Sequence, residues 1–212
     1  MTPPVAVITG ACSGIGLALT HHLLSNGWSI VMADIQGSPK GGEIDSERAL
    51  YIKTNVDPRA IKSSKPGGKI IVKASAAGFY ASLAMPQYSA TKHGLVRLVR
   101  SLSVGVKSAG FTANAVCPGI VATGFPPDSF MRSIRTEWIP PMGRTTQAFD
   151  ESMGEQKCLN GQTVEVCPEG WCHREALEPL SPSGQSIESS EVGKHWYELY
   201  VKRNKTHTRN DA

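Results

Sequence analysis

The sequence predicts an α/β fold in which one domain is built on a doubly wound, open parallel sheet. Short runs rich in Val and Ile, such as VAVIT (5–9) and KIIVKAS (69–75), are typical of strands buried on both faces of a parallel sheet. Stretches with helical apolar spacing alternate with these runs, as expected for a parallel α/β sheet. The 212 residues, of which 40% are hydrophobic and 19% charged, suit one globular domain with a core.

The predicted elements follow in order along the chain. The first strand leads through GACSGIG (10–16) into a helix with Ile15, Leu19 and Leu23 one turn apart, which ends at Asn26-Gly27 because glycine suits a left-handed cap. A long helix is predicted over 88–108. Further strands are predicted at WSIVMAD (28–34), ALYIKTNV (49–56), GGKIIVKAS (67–75), FTANAV (111–116) and, as the last strand, QTVEV (162–166). These elements place the domain at 1–167, followed by a polar and basic C-terminal tail, partly disordered, at 168–212.

Composition and charge argue against several functions. The net charge of +4 comes from scattered Lys and Arg without an aromatic-basic platform, so no nucleic-acid partner is expected. The sequence contains no run of about eighteen apolar residues, so no membrane-spanning helix is expected. The first residues lack the pattern of a secretory signal. The odd count of five cysteines favours reduced thiols and a cytoplasmic location. One group (Cys158, Cys167, Cys172 and His173) lacks a close C-x-x-C pair, so no metal site is expected.

The loop TGACSGIG (9–16) fits a dinucleotide phosphate site, because it follows a strand and opens a helix whose N-terminal N–H groups favour phosphate. Gly10 allows a tight turn, Gly14 allows the backbone to approach a pyrophosphate, and Gly16 allows close packing of the helix on the strand. Out of context Asp34 would be interpreted as a turn residue. Here it ends the second strand, where its carboxylate would accept from ribose hydroxyls and repel a 2′-phosphate. Because the loop carries no Lys or Arg, the pattern favours NAD over NADP.

The stretch QYSATKHG (87–94) sets Tyr88 and Lys92 four residues apart, on one face of the predicted long helix. An ammonium group near a phenol favours the phenolate, which makes a general acid–base for a carbinol or carbonyl oxygen. A lone Y-x-x-x-K pair is usually a helix-surface pair without function. Ser75 strengthens the functional interpretation, because it ends a strand at the edge where open α/β sheets present ligand-facing groups.

Taken together, these segments resemble the short-chain dehydrogenase/reductase family. TGACSGIG, Asp34, ASAAG around Ser75, YSATK and NAVCPGIVAT (114–123) match the family pattern from Val5 to Val166, nearest to 15-hydroxyprostaglandin dehydrogenase-like members of fungal type. The resemblance implies a Rossmann-like fold and an NAD(P)-dependent oxidoreductase acting on a lipophilic secondary alcohol or ketone.

The resemblance also implies roles for particular residues. Ser75 would bind the substrate oxygen, Tyr88 would transfer the proton, and Lys92 would hold the nicotinamide ribose and tune the tyrosine. Asn55-Val56 occupies the place of an Asp-Val pair that contacts adenine in the family. The asparagine side chain, like that of aspartate, can accept a hydrogen bond from the exocyclic amine of adenine. The implied dinucleotide contacts are Gly10, Ser13, Gly14, Ile15, Gly16, Asp34, Asn55, Val56, Tyr88, Lys92, Pro118, Gly119, Val121 and Thr123.

The middle of the family pattern is missing. Val56 and Lys69 are only thirteen positions apart, which is enough for one crossover but not for the strand carrying N-A-G, its helix and a second connection. The fourth strand and adjoining helices of the family are therefore expected to be absent, together with part of the usual dimer surface. The sequence thus leaves open whether the chain forms a homo-oligomer. Two arrangements follow. The serine strand keeps its place beside an empty slot, or it moves by about 4.8 Å to pair with the first strand. The second arrangement is expected, because unpaired buried amides are costly.

Two functions of different classes are consistent with this sequence. The first is an NAD-dependent alcohol dehydrogenase or ketoreductase. The second is a catalytically silent shortened chain, such as an isoform, a degenerate copy or an incomplete gene model, which at most binds dinucleotide. The substrate would be set partly by the segment 124–142, whose aromatic and aliphatic residues could form an apolar lid or pack on the sheet: Phe125, Phe130, Ile134 and Trp138.

Overall fold

The structure, a computed structural model, describes residues 3–41, 44, 47–54, 68–154, 159–182, 185, 192–193, 195–196 and 198–199. Contacts divide the chain into two units, Met1–Arg174 and Glu175–Ala212. The first unit holds all the strands and helices described below. Within the described residues, no helix has the length and apolar character needed to cross a membrane.

The first unit contains two mainly parallel sheets whose strands alternate with helices, which confirms the predicted α/β class. One sheet has the order β1-β2-β3, and the other has the order β4-β5-β6-β7 with β7 antiparallel. The strands are β1 (Val5–Thr9), β2 (Ser29–Asp34), β3 (Ala49–Lys53), β4 (Gly68–Lys73), β5 (Phe111–Pro118), β6 (Thr163–Cys167) and β7 (Gly170–His173). The helices are α1 (Gly14–Ser25), α2 (Pro86–Val106), α3 (Asp128–Ser133) and α4 (Met142–Met153).

The helix signals in the sequence are confirmed at both ends of α1. The helix begins within the glycine-rich loop, and Asn26 forms its C-cap by donating its N–H to the carbonyls of the last turn. Gly27 follows with φ of +84°, the left-handed conformation that glycine adopts without a steric penalty. The long helix is also present, although it begins at Pro86 and ends at Val106 rather than spanning 88–108.

Two apolar clusters hold the unit together. The larger cluster lies beneath α1 and α4 and joins both sheets, since Ile8 of β1 and Val164 of β6 share it with Leu23 and Phe149 of the helices. The smaller cluster lies between α2 and the opposite face of β4 and β5, with Val96 and Val99 fully buried. The helices α1 and α4 are further linked by a 2.7 Å contact between His22 Nε2 and Asp150 Oδ2.

The expected pairing of the serine strand with the first strand is wrong. Among the described strands, β1 pairs only with β2, and β4 pairs only with β5. Unpaired amides favour that pairing, but the packing of the helices opposes it. Because α1 packs against α4 over a core shared by both sheets, a shift of one strand spacing would drive these helices together, below the usual 8–10 Å between axes. Within the described residues, one edge of β1 and one edge of β4 therefore carry no paired strand.

Candidate active site

The glycine-rich loop adopts a tight turn between β1 and α1. Gly10 has φ of +66°, and its N–H donates to Ala33 O of β2 at 2.9 Å. A Cβ on Gly16 would lie 2.1 Å from Gly10 O, so the helix approaches the strand more closely than any side chain allows. Gly14 has φ of +53° and faces Thr123, whose Cβ would lie 3.6 Å from a Cβ added to the glycine. The tight turn at Gly10 and the close packing of the helix at Gly16 are therefore as the sequence predicted, whereas the approach of Gly14 to a pyrophosphate stays a prediction.

The N-terminus of α1 fits an anionic ligand. The N-cap residue Ser13 makes no side-chain capping bond, and the first turn contains no acidic residue that would repel phosphate. The Ser13 hydroxyl instead accepts a hydrogen bond from Gln36 Nε2 at 3.3 Å. A helix end with uncapped N–H groups and a positive dipole is suited to the pyrophosphate of a dinucleotide. Ile15, the second residue of α1, packs against the larger core.

Asp34 is buried at the end of β2, with 5% of its surface exposed. Its Oδ2 accepts from Cys12 N at 2.8 Å, and its Oδ1 accepts from Gln36 N at 3.0 Å. Burial favours the protonated form, but the N–H donors of Gln36, Cys12 and Ile35 outweigh it and hold the pKa of Asp34 below its usual range. The carboxylate is thus a structural support of the glycine-rich loop, a role that its position in the sequence did not indicate.

Ser75 follows β4 and caps a short 3₁₀ turn at Ala76–Gly78, where its Oγ accepts from Ala77 N at 3.2 Å. Accepting this bond does not use the hydroxyl proton, which can donate to another oxygen. The turn is held tightly against α2. A Cβ on Gly78 would lie 2.9 Å from Lys92 O, and His93 Nδ1 lies 2.9 Å from Gly78 O.

Tyr88 and Lys92 lie one turn apart on α2, as predicted, with Lys92 Nζ 5.4 Å from the centre of the tyrosine ring. Lys92 Nζ also donates to Lys73 O of β4 at 3.5 Å. Burial and the nearby Lys73 ammonium both lower the pKa of Lys92. Thus α2 carries the phenol and the ammonium, and the turn that begins at Ser75 is fixed to the same helix.

The segment after β5 brings further predicted residues to this region. Pro118 ends the strand, Gly119 N donates to Val166 O at 3.1 Å, and Val121 is buried. Thr123 reaches the glycine-rich loop at Gly14, so the structure joins this segment to the predicted phosphate site. Asn55 and Val56, the predicted adenine contacts, lie outside the described residues.

Three residues near the site were not found from the sequence. Gly78 and His93 attach the serine turn to α2, as described above. Cys117 is fully buried, with its thiol bonded to the Ser75 backbone, and burial raises its pKa to about 12, so it is an inert packing group.

The segment 124–142 leaves several of its aromatic rings in solvent instead of packing them on the sheet. Phe125 is 73% exposed, and its ring lies 6.0 Å from the Tyr88 ring with 27° between their planes. Phe130 and Trp138 are 41% and 58% exposed, and Ile134 is partly buried. Apolar side chains are therefore available on the tyrosine side of the site.

Metal ligands do not cluster in the part of the chain that the structure describes. Within it, no group of three or more His, Cys, Asp or Glu side chains could hold a metal ion. Cys167 and Cys172 are free thiols, and Cys158 lies outside the described residues.

Parts of the chain are similar in sequence to known dehydrogenases and reductases. A family model described as short chain dehydrogenase matches residues 54–130, a range that contains Ser75, Tyr88 and Lys92. Short-chain dehydrogenase/reductase prx7 of Penicillium rubens is 40% identical over 74 residues, which cover 31% of this chain and 26% of that protein. D-beta-hydroxybutyrate dehydrogenase of Rhizobium meliloti is 34% identical over 98 residues, which cover 46% of this chain and 34% of that protein.

These matches support the short-chain dehydrogenase/reductase family. The aligned part of the chain spans only about a quarter to a third of these two curated relatives. Two solved structures show the fold. One is 4-hydroxyisoleucine dehydrogenase complexed with NADH, at a TM-score of 0.64 and 14% identity, with 77% of this chain and 96% of that chain covered. The other is ElxO with NADP bound, at a TM-score of 0.62 and 14% identity, with 78% and 97% covered. The fold is Rossmann-like.

Proposed function

We propose that this chain is an oxidoreductase that transfers a hydride between NAD(H) and a lipophilic secondary alcohol or ketone, with Tyr88 as the acid–base. The observation that carries the proposal is the joint placement of Tyr88, Lys92 and the Ser75 turn by α2. A silent chain is the less favoured alternative, because the relatives are named as dehydrogenases and reductases.

A bound nicotinamide would supply or accept the hydride, and the residues of this chain would handle the proton and the substrate oxygen. The Ser75 hydroxyl donates a hydrogen bond to that oxygen, and the Tyr88 phenol gives or takes the proton on it. Lys92 stabilises the phenolate by its positive charge, and its lowered pKa reflects a partly desolvated ammonium, whose field is less screened than that of a surface lysine.

Several contacts support a dinucleotide with NAD preferred. The uncapped end of α1 and the close approach at Gly16 provide the phosphate cradle, and Thr123 closes it from the other side. Asp34 is an ionised carboxylate where a 2′-phosphate would need a cation. Outside the loop, the backbone N–H of Lys40 donates to Cys12 O at 2.8 Å, which fixes the segment after β2 against the glycine-rich loop.

The exposed aromatic side chains of 124–142 support a lipophilic substrate, since Phe125 lies beside the Tyr88 ring and could cover an apolar group bound there. The nearer likeness to 15-hydroxyprostaglandin dehydrogenase-like members, the cytoplasmic location and the boundary at 167/168 remain predictions.

The proposal is tested with Tyr88→Phe, using Tyr80→Phe as the matched control. Tyr80 also carries a phenol on a neighbouring segment, but its hydroxyl donates to Glu165 Oε2 at 3.0 Å. Reduction of a panel of lipophilic ketones by NADH would be followed, together with the dissociation constants of NADH and NADPH. Tyr88→Phe should lower turnover by about 10²–10⁴ and leave the NADH dissociation constant within a few-fold, whereas Tyr80→Phe should keep most activity.

Three results would contradict the proposal. Absence of turnover by the unaltered chain with every ketone would refute the enzymatic function. Retention of most activity by Tyr88→Phe would refute the acid–base assignment alone. Tighter binding of NADPH than NADH would refute the cofactor preference.

A further inference from the structure

The turn that begins at Ser75 is one hydrogen-bonded unit. Gly78 N donates to Ser75 O at 2.9 Å. Phe79 N and Tyr80 N both donate to Ala76 O, at 2.9 and 3.1 Å. The Phe79 side chain packs against the smaller core cluster. Because these bonds lie within a single helical turn, a displacement of Phe79 or Tyr80 would move Ser75 as well.

Arg174, the residue after β7, contacts the end of this turn. Its Cζ lies 5.6 Å from the centre of the Phe79 ring and 5.9 Å from that of the Tyr80 ring, within the range of cation–π attraction. Its Nε lies 3.4 Å from Glu165 Oε2, and the Glu165 side chain is only 14% exposed. The Tyr80 hydroxyl makes an exposed hydrogen bond to Glu165, whereas the ring meets the guanidinium, so Tyr80→Phe keeps this contact.

The backbone of Arg174 is fixed by three hydrogen bonds. Arg174 N donates to Thr163 O at 2.8 Å, and Arg174 O accepts from Thr163 Oγ1 at 2.9 Å and from Arg100 Nη2 at 3.0 Å. Thr163 is buried in β6, and Arg100 belongs to α2, the helix that carries Tyr88. A side chain on a backbone held in this way is preorganised for its contacts.

Glu165 lies close to the serine turn by a second route. It pairs in register with Cys117 of β5, whose thiol is bonded to the Ser75 backbone. On α2, Gly78 and His93 hold the same turn, as described above. The turn is therefore attached to two separate parts of the unit, α2 and the β6–β7 hairpin.

We propose that Arg174 is a positioning residue, whose guanidinium, with Glu165 as its counter-ion, holds the Phe79 and Tyr80 rings and thereby sets the direction of the Ser75 hydroxyl. The inference rests on the proposed function, in which this hydroxyl donates to the substrate oxygen. Without the guanidinium, Glu165 would be a mostly buried carboxylate without its cation, and the turn would lose its cationic link to β7. A misplacement of about 1 Å at a reacting group can cost about a hundredfold in rate.

The test compares three variants of the intact chain. Arg174→Met removes the cation but keeps an apolar side chain, and Arg174→Lys keeps a cation. Arg144→Met is the matched control, because Arg144 of α4 makes the same kind of contact with Trp171 of β7, 5.9 Å from its ring centre, on the side of the larger cluster. Ketone reduction gives kcat and KM, a titration gives the NADH dissociation constant, and amide hydrogen exchange follows residues 77–80.

Arg174→Met should lower kcat about tenfold and leave the NADH dissociation constant within about twofold, because only the serine turn is displaced. The amides of 77–80 should exchange faster, since the turn has lost a contact. Arg174→Lys should restore kcat to within about threefold of the unaltered chain, as expected if a cation is what the rings and Glu165 require. Arg144→Met should keep both the unaltered kcat and the unaltered exchange of 77–80.

The proposal is overturned if Arg174→Met changes neither kcat nor the exchange of 77–80. It is also overturned if Arg144→Met lowers kcat equally, since the effect would then be general destabilisation, or if Arg174→Lys is no better than Arg174→Met. Absence of turnover by the unaltered chain would refute the proposed function instead. Exchange would then decide the role of Arg174 alone, with faster exchange of 77–80 supporting it and unchanged exchange refuting it.

Discussion

Replacement of Gly16 by alanine is expected to damage both the fold and the dinucleotide site. The added Cβ would lie 2.1 Å from Gly10 O, 2.8 Å from Gly10 C and 3.3 Å from Ala11 Cα. All three neighbours are backbone atoms of the loop, so no side chain can rotate away. To reach ordinary contact, α1 must move from β1 by more than an ångström.

The magnitude follows from this displacement. Overpacking a tight site costs about 1–3 kcal/mol, and a backbone neighbour places Gly16→Ala at the upper end. For a chain of this length, about 3 kcal/mol lowers the melting temperature by about 6–12 °C. The helix end would shift relative to Thr123, so the dissociation constant of NADH should rise at least about tenfold.

Gly105→Ala is the matched control. Gly105 lies in α2, and an added Cβ there meets nothing within 4 Å. Alanine is favoured over glycine in a helix by about 0.5–1 kcal/mol, so this variant should melt slightly higher and bind NADH normally. Thermal unfolding and a fluorescence titration with NADH measure both effects. An unchanged melting temperature for Gly16→Ala would refute the close approach, and unchanged NADH binding despite a lower melting temperature would refute the phosphate site.

Two further predictions concern the serine turn and the buried carboxylate. Gly78→Ala should push the Ser75 turn off α2, because its Cβ would lie 2.9 Å from Lys92 O. We expect turnover to fall by about tenfold to a hundredfold with NADH binding retained, and unaltered turnover would contradict this role. Because the pKa of Asp34 is depressed in the folded state, its stabilisation is present above the unfolded value of about 3.8 and is lost as the pH falls below it. Asp34→Asn should therefore lower the melting temperature at pH 7 more than at pH 3, and an equal difference at both pH values would disprove this.

Much of the fold was predictable because its signals are local. The alternation of apolar strands and helical stretches fixed the class, and the glycines at 10, 16 and 27 marked a turn, a close approach and a helix cap. The spacing of Tyr88 and Lys92 placed both on one helix face. Each of these features depends on residues within a few positions of one another, where propensity and spacing decide the geometry.

What the sequence did not predict depends on long-range contacts. Strand β7 was missed because GWCH is short and begins soon after Pro168, and its pairing depends on the neighbouring edge of β6. The structural role of Asp34 depends on Cys12, which reaches it from another turn. The separation of β1 and β4 into two sheets depends on the packing of α1 against α4, which no segment encodes alone.

The candidate site is divided between the two sheets, so the placement of one sheet against the other sets the alignment of the reacting groups. The glycine-rich loop and Asp34 belong to the β1–β3 sheet, whereas Ser75, Tyr88 and Lys92 belong to the β4–β7 side. The two halves are held by the core under α1 and α4 and by the contact of Gly14 with Thr123. A misplacement of about 1 Å between reacting groups can cost a hundredfold in rate.

Supplying the strand within the chain should therefore raise both stability and activity. A version with an apolar strand and its crossovers inserted after Ala60 would pair with β1 and β4 and cover Val5 and Val7. Burying the exposed parts of these two valines is worth about 1–2 kcal/mol each, which raises the melting temperature by at least about 4 °C. Ketone reduction by NADH should rise as well. An insert of the same length made of Gly and Ser controls for chain length. Equal melting temperatures and equal rates in the unaltered chain and the strand version would show that the open sheet is already a working arrangement.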